Sequence, residues 1–124
     1  MAVINGTLTF DNDGVARAEW KNLRNGDTGS LIRMARFSDK TVQVVVEAAG
    51  VGAAITMEGS PDGGTTFGEL HNSQGGLLST DLTGATISNP EVISESPESI
   101  RPNVSGGDGT TALTVVITAP TRGK

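Results

Sequence analysis

"TVQVVVEA", residues 41–48, decides the fold class. In an extended chain Val42, Val44, Val46 and Ala48 fall on one face, and Thr41, Gln43, Val45 and Glu47 on the other. Alternation of period two in β-branched residues marks a strand with one face in a core. The neighbouring segment "AAITMEG", 53–59, repeats the pattern, with Ala53, Ile55 and Met57 inward and Ala54, Thr56 and Glu58 outward. "TALTVVITA", 111–119, sets Leu113, Val115 and Ile117 against Ala112, Thr114, Val116 and Thr118. In "SIRPNVS", 99–105, Ile100, Pro102 and Val104 alternate with Arg101 and Asn103. Pro102 lacks a ladder donor, so this strand is expected at a sheet edge or a bulge. Shorter strand candidates are 3–10, 31–37, 66–71, 77–82 and 91–95, and "VARAEWKNL", 15–23, is the single helical candidate.

Turn signals punctuate these runs: "DNDG", "RNGD", "SPDGG", "SQGG", "SNP" and "SGGDGTT". Many short strands with turns about every ten residues describe a β-sandwich or barrel. A chain of 124 residues is one domain's worth. No linker or internal repeat divides it. The expectation is one all-β domain: a single β-sandwich, jelly-roll-like, with an immunoglobulin-like sandwich as the alternative topology. Trp20, Phe10, Phe37 and Phe67 are the only aromatic residues, so the core is expected to be mainly Val, Ile, Leu and Ala.

"MEGSPDGGTTF", 57–67, admits a ligand-cradling reading and a structural one. Pro61 sets the backbone for a turn, Asp62 caps it and Gly63 supplies a positive φ, which is complete hairpin chemistry without a ligand. "SGGDGTT", with Asp108, does the same between 99–105 and 111–119. The structural reading is favoured at both.

Composition excludes several functions. There is no cysteine, hence no disulfide framework, thiolate metal site or cysteine nucleophile. No signal-peptide pattern opens the chain, and no apolar stretch approaches the ~20 residues of a membrane span. Synthesis in the cytoplasm is expected. A net charge of −5 and four aromatic residues disfavour nucleic acid as a partner. "DNDG", Asp11–Gly14, opens like a calcium loop, but the twelfth position is Asn22 and no flanking helices are evident. A calcium site assembled from loops is the weaker option there. His71 is the only histidine; it lacks further nitrogen or sulfur ligands for zinc and a nucleophile elbow for a serine triad. "SGGDG" lacks the lysine and serine of a phosphate loop. The acids have no spacing that assigns a glycosidase pair. No catalytic, cofactor-binding or metal residue is assigned, and no enzymatic activity is expected.

Charge is unevenly distributed. Residues 41–100 contain no Lys or Arg but eight acids: Glu47, Glu58, Asp62, Glu69, Asp81, Glu91, Glu95 and Glu98. The flanks are +1 over residues 1–40 and +2 over residues 101–124. A solvated acidic face explains this, and so does contact between one copy's acidic middle and a neighbour's basic segments.

The succession "GDTGS", "SDKTVQV", "ITMEGSPDGGTTF" and "ESIRPNVSGGDGTTALTVVI", within residues 26–119, resembles a family of small tailed-bacteriophage virion proteins. These are similar to capsid decoration, or cement, proteins. "IRPNVSGGDGTTALTV", Ile100–Val115, is the most specific block, while the "EGSPDGG" hairpin also resembles turns of other sandwiches. The resemblance implies a β-sandwich on the outer capsid surface, in contact with the major capsid protein and commonly trimeric. Capsid-contact residues are not assigned. Residues 26–124 are expected to form the sandwich domain. Residues 1–25 fall outside the resemblance and are read either as an N-terminal arm that contacts capsid or subunit, or as a first strand. Alternative roles are a carbohydrate- or host-surface-binding module on a virion, and a tail or head–tail connector component.

Overall fold

Alternating inward and outward side chains, interrupted by Gly, Asn and Asp at turns, fold the chain into strands that pack as two sheets. The computed structural model describes residues 3–10, 14–37, 39–48, 54–71, 79–81, 91–95, 97–105 and 108–120. The strands are β1 (Val3–Ile4), β2 (Thr7–Phe10), β3 (Val15–Leu23), β4 (Thr28–Gly29), β5 (Ile32–Arg33) and β6 (Thr41–Ala48). They continue as β7 (Ala54–Ser60), β8 (Gly68–Glu69), β9 (Ser79–Asp81), β10 (Glu91–Val92), β11 (Ser99–Ser105) and β12 (Ala112–Pro120). The described residues contain no helix.

One sheet has the order β10-β6-β12-β3-β2, the other β1-β4-β11-β7-β8, with β5 also on β11 and β9 also on β7. From β3 onward the chain passes repeatedly between sheets. β12 returns to lie between β3 and β6, and β11 lies between β4/β5 and β7. This is a jelly-roll β-sandwich. Apart from the parallel β1–β4 pair, the strand pairs are antiparallel.

The core lies between the sheets and is mostly aliphatic, as β6, β11 and β12 were expected to make it. Val42, Val44, Val46, Ile100, Val104, Leu113, Val115 and Ile117 are buried. Ile55 and Met57 of β7 join them, whereas Ala53 lies outside the described residues. Two aromatic residues also enter: Trp20 is fully buried and Phe37 nearly so, while Phe10 and Phe67 stay exposed. The Trp20 indole Nε1 donates to the Ser30 carbonyl at 2.9 Å, so its polar edge is satisfied inside the core. Gly29 and Gly6 give the ring room. A Cβ on Gly29 would lie 2.5 Å from Trp20 Cδ1 and 2.6 Å from Pro102 Cδ.

Two expectations are corrected. Residues 15–23 form a strand, not a helix: Ala16, Ala18 and Trp20 point inward and alternate with Arg17, Glu19 and Lys21. Helix-favouring Ala, Arg, Glu and Lys are overridden by pairing to β2 on one side and β12 on the other. Near its end Asn22, at φ 62°, forms a bulge opposite the step from Leu113 to Val115. Likewise β11 is an interior strand, not an edge. It pairs with β7 along its whole length, while its other flank contacts β5 at Ser99 and Ile100 and β4 at Asn103. Pro102 sits where that flank changes partner, so its missing donor interrupts no ladder there.

Strands β1, β2 and β3 place the described part of residues 1–25 within the two sheets. Candidates 31–37, 66–71 and 91–95 shrink to the two-residue strands β5, β8 and β10. Of candidate 77–82, β9 covers 79–81 and the rest lies outside the described residues.

Candidate functional site

Among the described residues, the outward face of the β7–β11 pair carries a polar cluster joined across strands. Register places Ser60 beside Ser99, Glu58 beside Arg101 and Thr56 beside Asn103. Arg101 Nε donates to Glu58 Oε1 at 2.9 Å, and its guanidinium carbon lies 3.6 Å from the Phe67 ring centroid. Glu69 of β8 pairs with Glu58, so two carboxylates face one another across strands. Arg101 offsets that repulsion.

The β7–β8 connection folds over this cluster and is fixed by Asp62. Its Oδ1 accepts from the Thr66 N–H at 2.9 Å, the Thr65 N–H at 3.1 Å and the Ser60 hydroxyl at 2.9 Å. Its Oδ2 accepts from the Thr66 hydroxyl at 2.8 Å. The Thr66 N–H above all, then its hydroxyl, hold the carboxyl's pKa at about 2 against desolvation, with Ser60 and Thr65 adding smaller contributions. Ser60 Oγ accepts from the Gly64 N–H, and Gly63 and Gly64 have φ of 73° and 105°. Asp62 is thus saturated by its own turn. Asp108 repeats the device: its Oδ1 accepts from the Thr110 N–H at 2.9 Å and the Thr110 hydroxyl at 2.6 Å. The "RNGD" turn is closed by Asp27, whose Oδ2 accepts from the Arg24 N–H.

His71 lies at the lateral edge where the segments around β8 and β10 meet. Its N–H donates to Glu95 Oε1 at 2.8 Å and its Nδ1 lies 2.5 Å from Glu95 Oε2. Partial burial works to raise the Glu95 pKa, but the bonds from His71 outweigh it and leave the carboxyl below its usual range. The Ser94 N–H donates to the His71 carbonyl, joining the two segments.

At the opposite lateral edge a recess of about 460 Å³ opens between β2 and β5, lined by Leu8, Arg33, Ala35, Arg36 and Glu98. Arg33 Nη2 donates to Glu98 at 3.4 Å, and Arg36 lies over the rings of Phe10 and Phe37. Lys40, which the sequence did not single out, is buried nearby with Nζ donating to the Phe37 carbonyl at 2.8 Å. Burial lowers its pKa, against the opposing charge of Asp39.

The structure therefore brings Asp62 into a turn and pairs His71 with Glu95 at an edge. Among the described residues no group of three His, Asp or Glu side chains is placed to hold a metal ion. Asp11–Asp13 of "DNDG" lie outside the described residues. No helix of the described residues is long and apolar enough to cross a membrane.

The sequence matches no protein-family profile and no curated protein. Among solved structures, the fold is similar to Peruvianin-I, a cysteine peptidase from Thevetia peruviana latex, at 14% identity and TM-score 0.46. That alignment covers 96% of this chain, which spans 63% of the peptidase chain. Protein NMB1881 from Neisseria meningitidis aligns at 13% identity and TM-score 0.33, over 90% of this chain and 79% of its own. The vicilin from Solanum melongena aligns at 16% identity and TM-score 0.33, over 86% of this chain and 23% of its own. At these scores the similarities transfer no activity, and the fold assignment stands on strand order alone.

Proposed function

We propose that this chain is a non-enzymatic capsid decoration protein of a tailed phage, which binds the outer surface of the head and stiffens the shell. The resemblance of Ile100–Val115 to that family carries the reading. The block runs from the interior strand β11 through the Asp108 turn into β12. The geometry supports it in two ways. The chain offers outer sheet faces built of small polar and β-branched residues; on one of them Thr9, Arg17, Thr118, Thr41 and Val92 form a row across five strands. Its turns are also pinned by Asp62, Asp108 and Asp27 through hydrogen bonds within the chain. Both features suit a rigid module that acts by burying surface against neighbouring coat subunits. Each copy needs only a modest interface, because many copies act on one closed lattice. The protein would be made in the host cytoplasm and act as a homo-oligomer, commonly a trimer in the resembling family.

A carbohydrate- or host-surface-binding module on a virion is the second reading, favoured by Phe67, which is 37% exposed. Arg101 already covers one face of that ring, which leaves less of it for a sugar.

Co-sedimentation with heads of the phage that encodes the chain tests the proposal. Saturable binding to expanded heads, stronger than to compact precursors, is expected. Absence of binding to either form contradicts it, and binding to a glycan array in its place supports the second reading.

A further inference from the structure

Two Asn–Gly dipeptides occur in the chain, Asn5–Gly6 and Asn25–Gly26. A glycine after asparagine has no Cβ to shield its amide nitrogen, or to hinder the rotation that carries this nitrogen onto the asparagine side chain. The fold treats the two dipeptides differently. Asn5–Gly6 links β1 to β2 and is clamped by Ser30. The Ser30 N–H donates to the Ile4 carbonyl at 2.8 Å, and the Gly6 N–H donates to Ser30 Oγ at 2.9 Å. Gly6 also lies against the core: a Cβ there would sit 2.5 Å from Trp20 Nε1 and 2.9 Å from Ile32 Cδ1. Its nitrogen is occupied, and its peptide plane cannot turn without breaking the bond to Ser30.

Asn25–Gly26 forms the corner of the turn between β3 and β4. The Asp27 N–H closes that turn on the Arg24 carbonyl at 3.0 Å, and Asp27 Oδ2 accepts from the Arg24 N–H at 2.9 Å. Asn25 is exposed and Gly26 has a φ of 79°. No hydrogen bond among the described residues involves either of them. Turn types I and II share the closing bond and differ by a flip of the central peptide plane, which glycine permits. The Gly26 nitrogen can therefore swing toward the Asn25 side chain while the turn stays closed.

We infer that Asn25 is a site of spontaneous deamidation, which the fold selects over Asn5. The Gly26 nitrogen loses its proton to solvent and bonds to Asn25 Cγ. The Cγ–Nδ2 bond breaks, and the side-chain nitrogen takes up a proton and leaves as ammonia, closing a succinimide ring. Water then adds to either ring carbonyl and opens the ring, giving an aspartyl or an isoaspartyl linkage. One water is consumed and one ammonia released, with no change of oxidation state. Both products add a negative charge close to Asp27, on a chain whose net charge is already −5. The isoaspartyl product also lengthens the turn's backbone by one methylene, which opposes the Asp27–Arg24 closure and loosens the β3–β4 connection. This chemistry belongs to the chain itself and does not depend on a capsid.

Mass spectrometry of peptides follows both sites in one sample of the purified chain, held folded in mildly alkaline buffer or unfolded in urea. In the folded chain, position 25 is expected to gain the mass difference between a hydroxyl and an amino group. It should do so at least ~10-fold faster than position 5, the size of effect that one retained hydrogen bond gives. In urea the two rates are expected to converge, because the clamp on Gly6 is gone. Ser30→Ala removes the acceptor for the Gly6 N–H and is expected to raise the rate at position 5, with Trp20 fluorescence reporting that the variant is folded. If that variant does not fold, the comparison of folded with unfolded wild type still decides. Asn25 left intact in the folded chain overturns the inference, as do equal rates at positions 5 and 25 in the folded chain. A folded Ser30→Ala chain with position 5 as protected as in wild type overturns the selection by Ser30.

Discussion

Arg101 bridges two neighbours on the outer sheet face: its guanidinium carbon lies 3.6 Å from the Phe67 ring centroid, and its Nε donates to Glu58 at 2.9 Å. One side chain thereby anchors the β7–β8 hairpin and neutralises a carboxylate that faces another across strands. Arg101→Ala is expected to cost about 1–3 kcal/mol, since it leaves Glu58 partly buried without its cation. A double-mutant cycle with Phe67→Ala should isolate a coupling of about 0.5–1 kcal/mol for the ring contact. Urea unfolding measures both, and zero coupling would mean that the stack contributes nothing to stability.

The Trp20 site gives a sharper test of the core. Gly29→Ala is expected to destabilise by about 1–3 kcal/mol, because its Cβ would collide with the indole and with Pro102. Trp20→Ala should cost about 3–5 kcal/mol. Trp20 is the only tryptophan, so fluorescence in denaturant titrations reports directly on this site. A Gly29→Ala protein as stable as wild type would contradict the close packing described.

Acid stability should depend on Asp62. Its folded pKa, about 2, lies below the ordinary carboxyl value of ~3.9. The stability it contributes is therefore present above about pH 4 and lost as pH falls toward about 2. Asp62→Asn keeps Oδ1 as an acceptor but not the charge, so it should lower the melting temperature at pH 7 and flatten the loss below pH 4, the two proteins converging toward about pH 2. Thermal melts across pH 2–7 make the comparison, and an unchanged acid limb in the variant would refute this role.

Chelation provides a fourth test. Asp62 and Asp108 are satisfied by Ser, Thr and backbone donors, so adding EDTA is expected to leave the melting temperature unchanged. A fall of several degrees would mean that a metal binds the folded state and stabilises it by mass action.

The strongly alternating strands β6, β7, β11 and β12 were legible in the sequence because their inward faces are runs of β-branched and aliphatic residues. β3 was not. Its outward Arg17, Glu19 and Lys21 and inward Ala16 and Ala18 have good helix propensity, and only pairing on both flanks overrides it. The two-residue strand β4 carries too few residues for any period to show. Pro102 misled because a proline signals an edge only when the neighbouring strand is continuous, and here β5 gives way to β4 beside it. The Asp62 turn could be read from "SPDGG", since its bonds span four residues or fewer. By contrast, the Glu58–Arg101 pair joins positions 43 residues apart and becomes visible only with the strand register. The same holds for the recess that brings Leu8 to Glu98.

The central claim is a place on the phage head, and cryo-electron microscopy of virions of the phage that encodes the chain tests it most directly. The account predicts jelly-roll density on the outside of the head, in fixed ratio to the coat protein. That density should lie at local symmetry axes, where a closed oligomer shares the symmetry of the lattice. Density confined to the tail, the portal or the fibres, or no density for the chain at all, would contradict it.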